Sequence, residues 1–332
     1  GKLMAKINPT NKAVARGMSR VWYWMWGLLE LLERFPGQVP DVDITMQVED
    51  TPKVERVVVL KPPKGGPKQH IPYTLGDMKN PPPIIFSAAR NPGTIDLLWP
   101  LWTMWGEDIP GTGPKTGGFH DPAWEGLLPK IIEAGRSTPW TERKHKNAFW
   151  RGAARTSGLR DTLIACSGKP EFRVDASSVQ HKTKEGKPIG ALDRVGHQYL
   201  VYMDGRTFSS AMLPMIPTGA LLLFPESPFE TLHSRAFRNA GHYLPIDKHA
   251  EHLCHNSVEW AEAHPAEAAA KSKAALDWAD QNLRMEKVYE YMLHMLQAYA
   301  KLQKFKPKPL GKVIGWGDVM KNVKRKRPGT KG

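Results

Sequence analysis

Apolar positions along this chain follow two periods, and the two alternate. Val288, Tyr291, Met292, Met295, Leu296, Tyr299 and Leu302 recur at spacings of three and four, the period that turns one side of a helix toward a core. Residues 266–279 are Ala-rich and begin after Pro265, a residue suited to the first helical position. Between and before these stand short runs of another kind. Residues 57–60, 84–87, 172–175, 199–202 and 220–224 read as strands, the last apolar throughout, as a strand covered on both faces must be. Residues 40–50 alternate and predict one more strand. Residues 61–83 and 106–118 are dense in Pro and Gly and predict loops. Strands interspersed with helices predict an α/β fold built on parallel sheets.

The run Val21-Trp22-Tyr23-Trp24-Met25-Trp26-Gly27-Leu28-Leu29 is the most apolar near the start, and Glu30 and Glu33 interrupt it. A bilayer core needs roughly twenty apolar residues, so this segment predicts an amphipathic helix, either docked on the body or presented to a membrane surface or a partner. With 332 residues and 41 % hydrophobic content the chain has room for two domains, each with its own core.

Charge changes the picture only at one end. The net charge is +14, yet residues 301–332 alone hold eleven Lys or Arg against the single Asp318. The body is close to balanced, which argues against a nucleic-acid-binding protein. The tail predicts a solvated segment whose natural partner is a phosphate-rich or acidic membrane surface. The two cysteines, Cys166 and Cys254, allow one bridge and have no zinc-site spacing. Neither a Gly-x-Gly-x-x-Gly nor a Walker-type loop occurs.

Three segments carry residues suited to chemistry. In Phe149-Trp150-Arg151-Gly152-Ala153-Ala154-Arg155-Thr156-Ser157 a small-residue turn stands beside two Arg and two hydroxyls, a set that fits phosphate oxygens and equally an ordinary turn. In Tyr202-Met203-Asp204-Gly205-Arg206-Thr207-Phe208-Ser209-Ser210 a predicted strand ends in Asp-Gly. Ligands of parallel sheets bind at carboxyl ends of strands, and a helix N-cap is the alternative. Asp96 stands among Ile95, Leu97, Leu98 and Trp99. A carboxylate there needs partners, and it is either an N-cap or a general base.

Taken together, these segments resemble one family. Asp96-Leu97-Leu98-Trp99-Pro100-Leu101-Trp102-Thr103-Met104-Trp105, Phe149-Trp150-Arg151-Gly152, His197-Gln198-Tyr199-Leu200 with Asp204-Gly205 and Phe208-Ser209-Ser210, Gly241-His242-Tyr243-Leu244-Pro245-Ile246, and Pro40-Asp41 with Asp50 and Pro52 stand in the order and spacing of glycosyltransferase family 90. This is the group of the protein O-glucosyltransferases and capsule-associated sugar transferases. The resemblance implies a GT-B-like fold, two Rossmann-like domains with the active site in the cleft between them. It implies an N-terminal aromatic helical segment (1–38), an acceptor-side domain (39–145), a nucleotide-sugar-binding domain (146–280), a helix packing back on the body (281–305) and the basic tail (306–332).

It further implies inverting transfer of glucose or xylose from a UDP-sugar to a protein or glycan hydroxyl in the endomembrane lumen, with no cofactor and no metal. Asp96 would be the base. Arg151, Gly152, Arg155, Arg160, Arg206, Thr207, Phe208, Ser209, Ser210 and Glu230 would bind the donor, and Trp99 and Trp102 the acceptor. At two places the chain departs from the family pattern. Ala211 stands where the family usually has an Arg facing the donor diphosphate. Ala153-Ala154 follows Gly152 where the family has a Ser.

Overall fold

A computed structural model of the chain describes residues 2–5, 12–55, 57–60, 69–72, 84–106, 124–154, 156–179, 189–247, 254, 258–309 and 311–323. The strands are β1 (Met4–Ala5), β2 (Thr45–Gln47), β3 (Val57–Leu60), β4 (Gln69–Pro72), β5 (Ile85–Ser87), β6 (Leu97–Leu98), β7 (His145–Gly152), β8 (Val174–Ser178), β9 (His197–Val201), β10 (Leu221–Pro225), β11 (Leu244–Ile246) and β12 (Lys312–Val313). The helices are α1 (Lys12–Arg34), α2 (Trp124–Ser137), α3 (Gly158–Cys166), α4 (Met212–Met215), α5 (Leu232–Ala240), α6 (Val258–Ala263), α7 (Pro265–Asn282), α8 (Met285–Leu302) and α9 (Trp316–Val323).

The main sheet is parallel throughout, in the order β11-β10-β9-β7-β8. Every residue of β9 and β10 is buried, because helices cover both faces. Side chains alternate across a strand, and the core divides accordingly. Leu200, Leu222 and Phe224 join the aromatic core of α1, α2 and α8. Tyr199, Val201, Leu221 and Leu223 join the smaller core with Trp150, Leu163 and Val258.

A second parallel sheet, β2-β5-β6, lies in the N-terminal half. Phe86 of β5 is fully buried and belongs to the same core as Trp24, Trp105, Leu200 and Leu222. The mixed α/β class with parallel sheets is as expected, and one continuous core spans both sheets. The alternation over 40–50 yields only the three residues of β2, since only these pair with β5. The stretch 61–83 contributes β4, which pairs antiparallel with β3. Its remainder and residues 107–118 lie outside the described residues.

Two internal fasteners set the position of the main sheet. Arg143 is 2 % exposed and donates to the carbonyls of Gly135, Thr138, His197 and Thr218. Burial lowers its pKa to about 10. Gly219 follows with φ 70°, and a Cβ there would stand 2.8 Å from Arg143 Nη2, so this turn excludes any side chain. The second fastener is a disulfide from Cys166, at the end of α3, to Cys254, with Cα atoms 5.8 Å apart and a separation of 88 in sequence. Cross-linking a loop of this size contributes about 2–4 kcal/mol. Reductant and Cys254→Ser should therefore lower the melting temperature by the same amount, and reductant should do nothing further to the variant.

The basic tail is folded over part of its length. Residues 312–313 pair with Met4–Ala5. Ile314 is 2 % and Val319 0 % exposed. Trp316 meets Trp26 edge-to-face at 5.8 Å and donates to Glu33 at 2.6 Å. The expectation of a solvated tail is thus corrected for residues 311–323, which close over α1 by burying apolar side chains that stand between the lysines. Residues 324–332 lie outside the described residues.

Two buried histidines make the fold acid-sensitive. His233 of α5 and His197 of β9 are 5 % and 6 % exposed. Burial holds both near pKa 4, with the neighbouring His145 adding to the shift at His197. An unfolded histidine titrates near 6.5. Below that pH the unfolded chain takes up protons that the folded one refuses. Stability is therefore expected to be full above pH 6.5 and to fall progressively toward pH 4. A melting profile that stays level across this window would show that neither ring is buried as described, and His233→Gln should flatten part of the slope.

Candidate functional site

The strand order of the main sheet reverses between β7 and β9. From β7 the chain moves outward to β8, then crosses back to β9 on the other side of β7. The loops leaving the carboxyl ends of two such strands diverge and leave a crevice between them. The loop after β7 begins at Ala153 and runs to α3, and the loop after β9 covers 202–211. Two of the three chemistry-bearing segments found in the sequence meet here.

Arg160 holds the two loops together. It is 7 % exposed and reaches from α3 to both. Its Nη1 donates to the Ala153 carbonyl and to Thr156 Oγ1, each at 3.0 Å, and its Nη2 donates to the Met203 carbonyl at 2.8 Å. Burial lowers its pKa, with Tyr202 and Asp204 opposing. Within the loop after β9, Tyr202 donates to Asp204 Oδ1 at 2.7 Å and accepts from the Ser209 N–H at 2.9 Å. Burial raises Tyr202 well above its ordinary value. Burial also raises the Asp204 carboxyl, against hydrogen bonds from Ser227 and Tyr202 and the charges of Arg238 and Arg160. A carboxyl of this kind is an acid–base candidate on chemical grounds.

Next to the crevice, beyond the carboxyl end of β10, lies a cavity of about 350 Å³ lined by Pro92, Glu226, Ser227, Glu230, Arg235 and Arg238 among others. It is bounded by both halves of the chain. Arg90 and Glu230 exchange backbone hydrogen bonds at 2.9 and 2.8 Å and pair through their side chains at 3.0 Å. Arg238 donates to the carbonyls of Ser227 and Phe229 and lies 3.8 Å from Glu230. Arg235, one turn earlier on α5, is half exposed and only 4.0 Å from the same carboxylate. Thr231 and Ser234 form a capping box that fixes the start of this helix. The cavity thus presents Arg side chains around one carboxylate, with Arg235 the least engaged of them.

Asp96 sits elsewhere. It is 0 % exposed. Its Oδ1 accepts from the Lys53 N–H at 3.0 Å and from Ser87 Oγ at 2.6 Å, and its Oδ2 from the Val54 N–H at 2.9 Å. The partners a buried carboxylate needs are therefore supplied by a neighbouring loop and by β5, and it caps no helix. Trp99 and Trp102 are 0 % and 3 % exposed. Trp99 packs on Phe86. Trp102 is enclosed by Trp24, Phe208 and the Arg20 guanidinium.

Comparison with known proteins gives this arrangement a family. The profile described as "Glycosyl transferase family 90" matches residues 14–313. The chain belongs to glycosyl transferase family 90. Protein O-glucosyltransferase 1 of Bos taurus is 21 % identical over 278 residues, 80 % of this chain and 64 % of the relative. Protein O-glucosyltransferase 3 of Homo sapiens is 30 % identical over 183 residues, 52 % of this chain and 35 % of the relative. The chain therefore spans less than two thirds of either relative.

The donor residues of the family expectation do not all gather at one place. Arg160 bonds to the loops that follow β7 and β9, Ser209 belongs to the second of these loops, and Glu230 lines the cavity. Arg151 is turned the other way, toward β8, where Asp175 takes its Nη2 at 2.7 Å and its Nη1 donates to backbone carbonyls. Gly152 matters for packing, since a Cβ would lie 2.5 Å from the Trp150 ring. Arg206 is exposed, Ser210 is half-buried, and Thr207 and Phe208 are buried, the last against Trp102. Arg155 lies outside the described residues. Ala211 immediately precedes α4, its N–H 3.4 Å from Ser209 Oγ.

Trp99 and Trp102, which the family resemblance assigns to the acceptor, are buried here, Trp99 against Phe86 of β5 and Trp102 against Trp24 of α1. Sequence reasoning missed Arg90, Arg235 and Arg238. The last two stand three apart in a helix that follows a buried strand, a spacing that places both on one face at the carboxyl edge. Among the described residues no group of His, Cys, Asp and Glu could hold a metal ion.

Proposed function

We propose that this chain is a UDP-sugar-dependent glycosyltransferase of GT-B type that moves glucose or xylose, with inversion, to a hydroxyl of a protein or glycan. The observation that carries the reading is the Arg-lined cavity between the two halves, placed beside the switch point of a parallel sheet. A diphosphate leaving group needs positive charge and N–H donors, and Arg235 with Arg238 supplies the charge here. The family relatives, protein O-glucosyltransferases by name, support a sugar donor and a protein acceptor. The Cys166–Cys254 disulfide fits an oxidising compartment and so the endomembrane lumen.

In this mechanism Asp96 takes the proton of the attacking hydroxyl only after the Lys53–Val54 backbone has lifted from its oxygens. Calorimetric titration with UDP, followed by a screen of UDP-glucose, UDP-xylose and UDP-galactose for UDP release, tests the proposal. A charge-assisted contact to phosphate is worth about 1.5–3 kcal/mol, so Arg235→Ala should weaken UDP binding about ten- to a hundredfold. Arg206→Ala should leave it nearly unchanged. Equal UDP affinity in wild type and Arg235→Ala would remove the cavity from donor binding.

A second reading has its own support. The sealed Asp96, the Arg151–Asp175 pair and Ala211 all fit a family member that binds a glycan or protein without transfer. Tight UDP binding with no hydrolysis or transfer of any donor would favour it.

A further inference from the structure

The segment leaving α8 combines charge with exposed apolar groups. Lys301, Lys304, Lys306 and Lys308 follow one another with no acidic residue among them, and all four are exposed. Leu302 is 70 % and Phe305 59 % exposed, and Val313 further along is 52 % exposed. Those three are among five large apolar side chains that stand out from the described residues, so such exposure is concentrated here.

The segment is also tethered at both sides. Gln303 accepts from the Asp43 N–H at 3.0 Å and Tyr299 donates to the Asp43 carbonyl at 3.2 Å. Beyond the segment Ile314 is buried and its N–H bonds to the Leu3 carbonyl at 2.9 Å. The lysines and apolar groups are thus displayed from a fixed frame. Lysine stems with charged tips, interleaved with Leu and Phe, suit a boundary between headgroups and acyl chains. A hydrophobic protein groove would favour Leu and Phe but would not call for four lysines. No helix among the described residues is long and apolar enough to cross a membrane, so such a contact is peripheral.

We propose that residues 301–309 and 311–313 dock this protein on an anionic phospholipid surface, with the lysines at the headgroup phosphates and Leu302 and Phe305 inserted at the interface. The proposal is independent of the transferase reading. It is tested by co-sedimenting the full chain with vesicles of phosphatidylcholine, alone or with about one third phosphatidylserine.

Binding is expected to need the anionic lipid. Phe305→Ser should reduce partitioning about tenfold, and Lys304→Glu with Lys306→Glu and Lys308→Glu should reduce it at least as much. Melting temperatures should not change, because these side chains are exposed. Leu302→Ser serves as a second apolar variant should Phe305→Ser misfold. Equal binding to neutral vesicles would overturn the proposal. So would lysine dependence with no effect of either apolar variant, which would mark a general polyanion surface. Loss of all binding on removing only residues 324–332 would assign the contact to that segment instead.

Discussion

Replacing Asp96 with alanine is expected to cost the fold about 4–5 kcal/mol, whatever it does to catalysis. The change leaves the Lys53 N–H, the Val54 N–H and the Ser87 hydroxyl without their acceptor, and each buried donor left unpaired costs about 1–3 kcal/mol. Asp96→Asn is the sharper instrument. Its remaining oxygen can stay with Lys53 and Ser87, while its amide nitrogen must face the Val54 N–H, so the expected cost is about 2 kcal/mol. Activity measured well below the melting point of this variant then separates two roles. A general base accounts for roughly 10²–10⁴ in rate, and its loss would appear in a fully folded protein. Transfer that tracks the folded fraction instead would leave Asp96 with the structural role seen here. An unchanged melting temperature in Asp96→Ala would show that the carboxylate is not engaged as described.

The parts of this molecule that could be read from sequence are those whose cause is local. β10 is apolar at consecutive positions because helices lie on both sides of it, and that pattern is visible without knowing the helices. α8 shows its buried face at spacings of three and four for the same reason. The crevice between β7 and β9 was also within reach, since both motif segments follow predicted strands and parallel sheets bind ligands at that edge. What could not be read depends on partners far away in the chain. The oxygens of Asp96 are saturated by backbone groups 42 and 43 residues earlier, so the same sequence supports a reactive base or a sealed one. Arg143 and Arg160 are positively charged residues without side-chain signatures, and both are buried only because carbonyls from other elements surround them. Arg235 and Arg238 gain meaning from Glu230 and from Arg90 in the other half.

Removing everything beyond Pro309 is expected to destabilise the protein by about 5 kcal/mol or more, although the segment removed is rich in lysine. By charge alone this segment would be dispensable. Yet it covers α1 with Ile314, Trp316, Val319 and Met320, and full burial of one large apolar side chain is worth about 1.5–3 kcal/mol. The truncation also strips Trp26 of its edge-to-face partner and Glu33 of the Trp316 donor. Such a loss is comparable with the total stability of many domains, about 5–15 kcal/mol, so the truncated chain should unfold or aggregate near physiological temperature. A chain ending at Val323 keeps β12 and α9 and should melt with the full chain. Ile314→Ala gives a graded version of the same test, with an expected cost of about 2–4 kcal/mol. Should the chain ending at Pro309 melt together with the one ending at Val323, the contact between α9 and α1 contributes nothing, and the tail is the solvated segment its charge suggests.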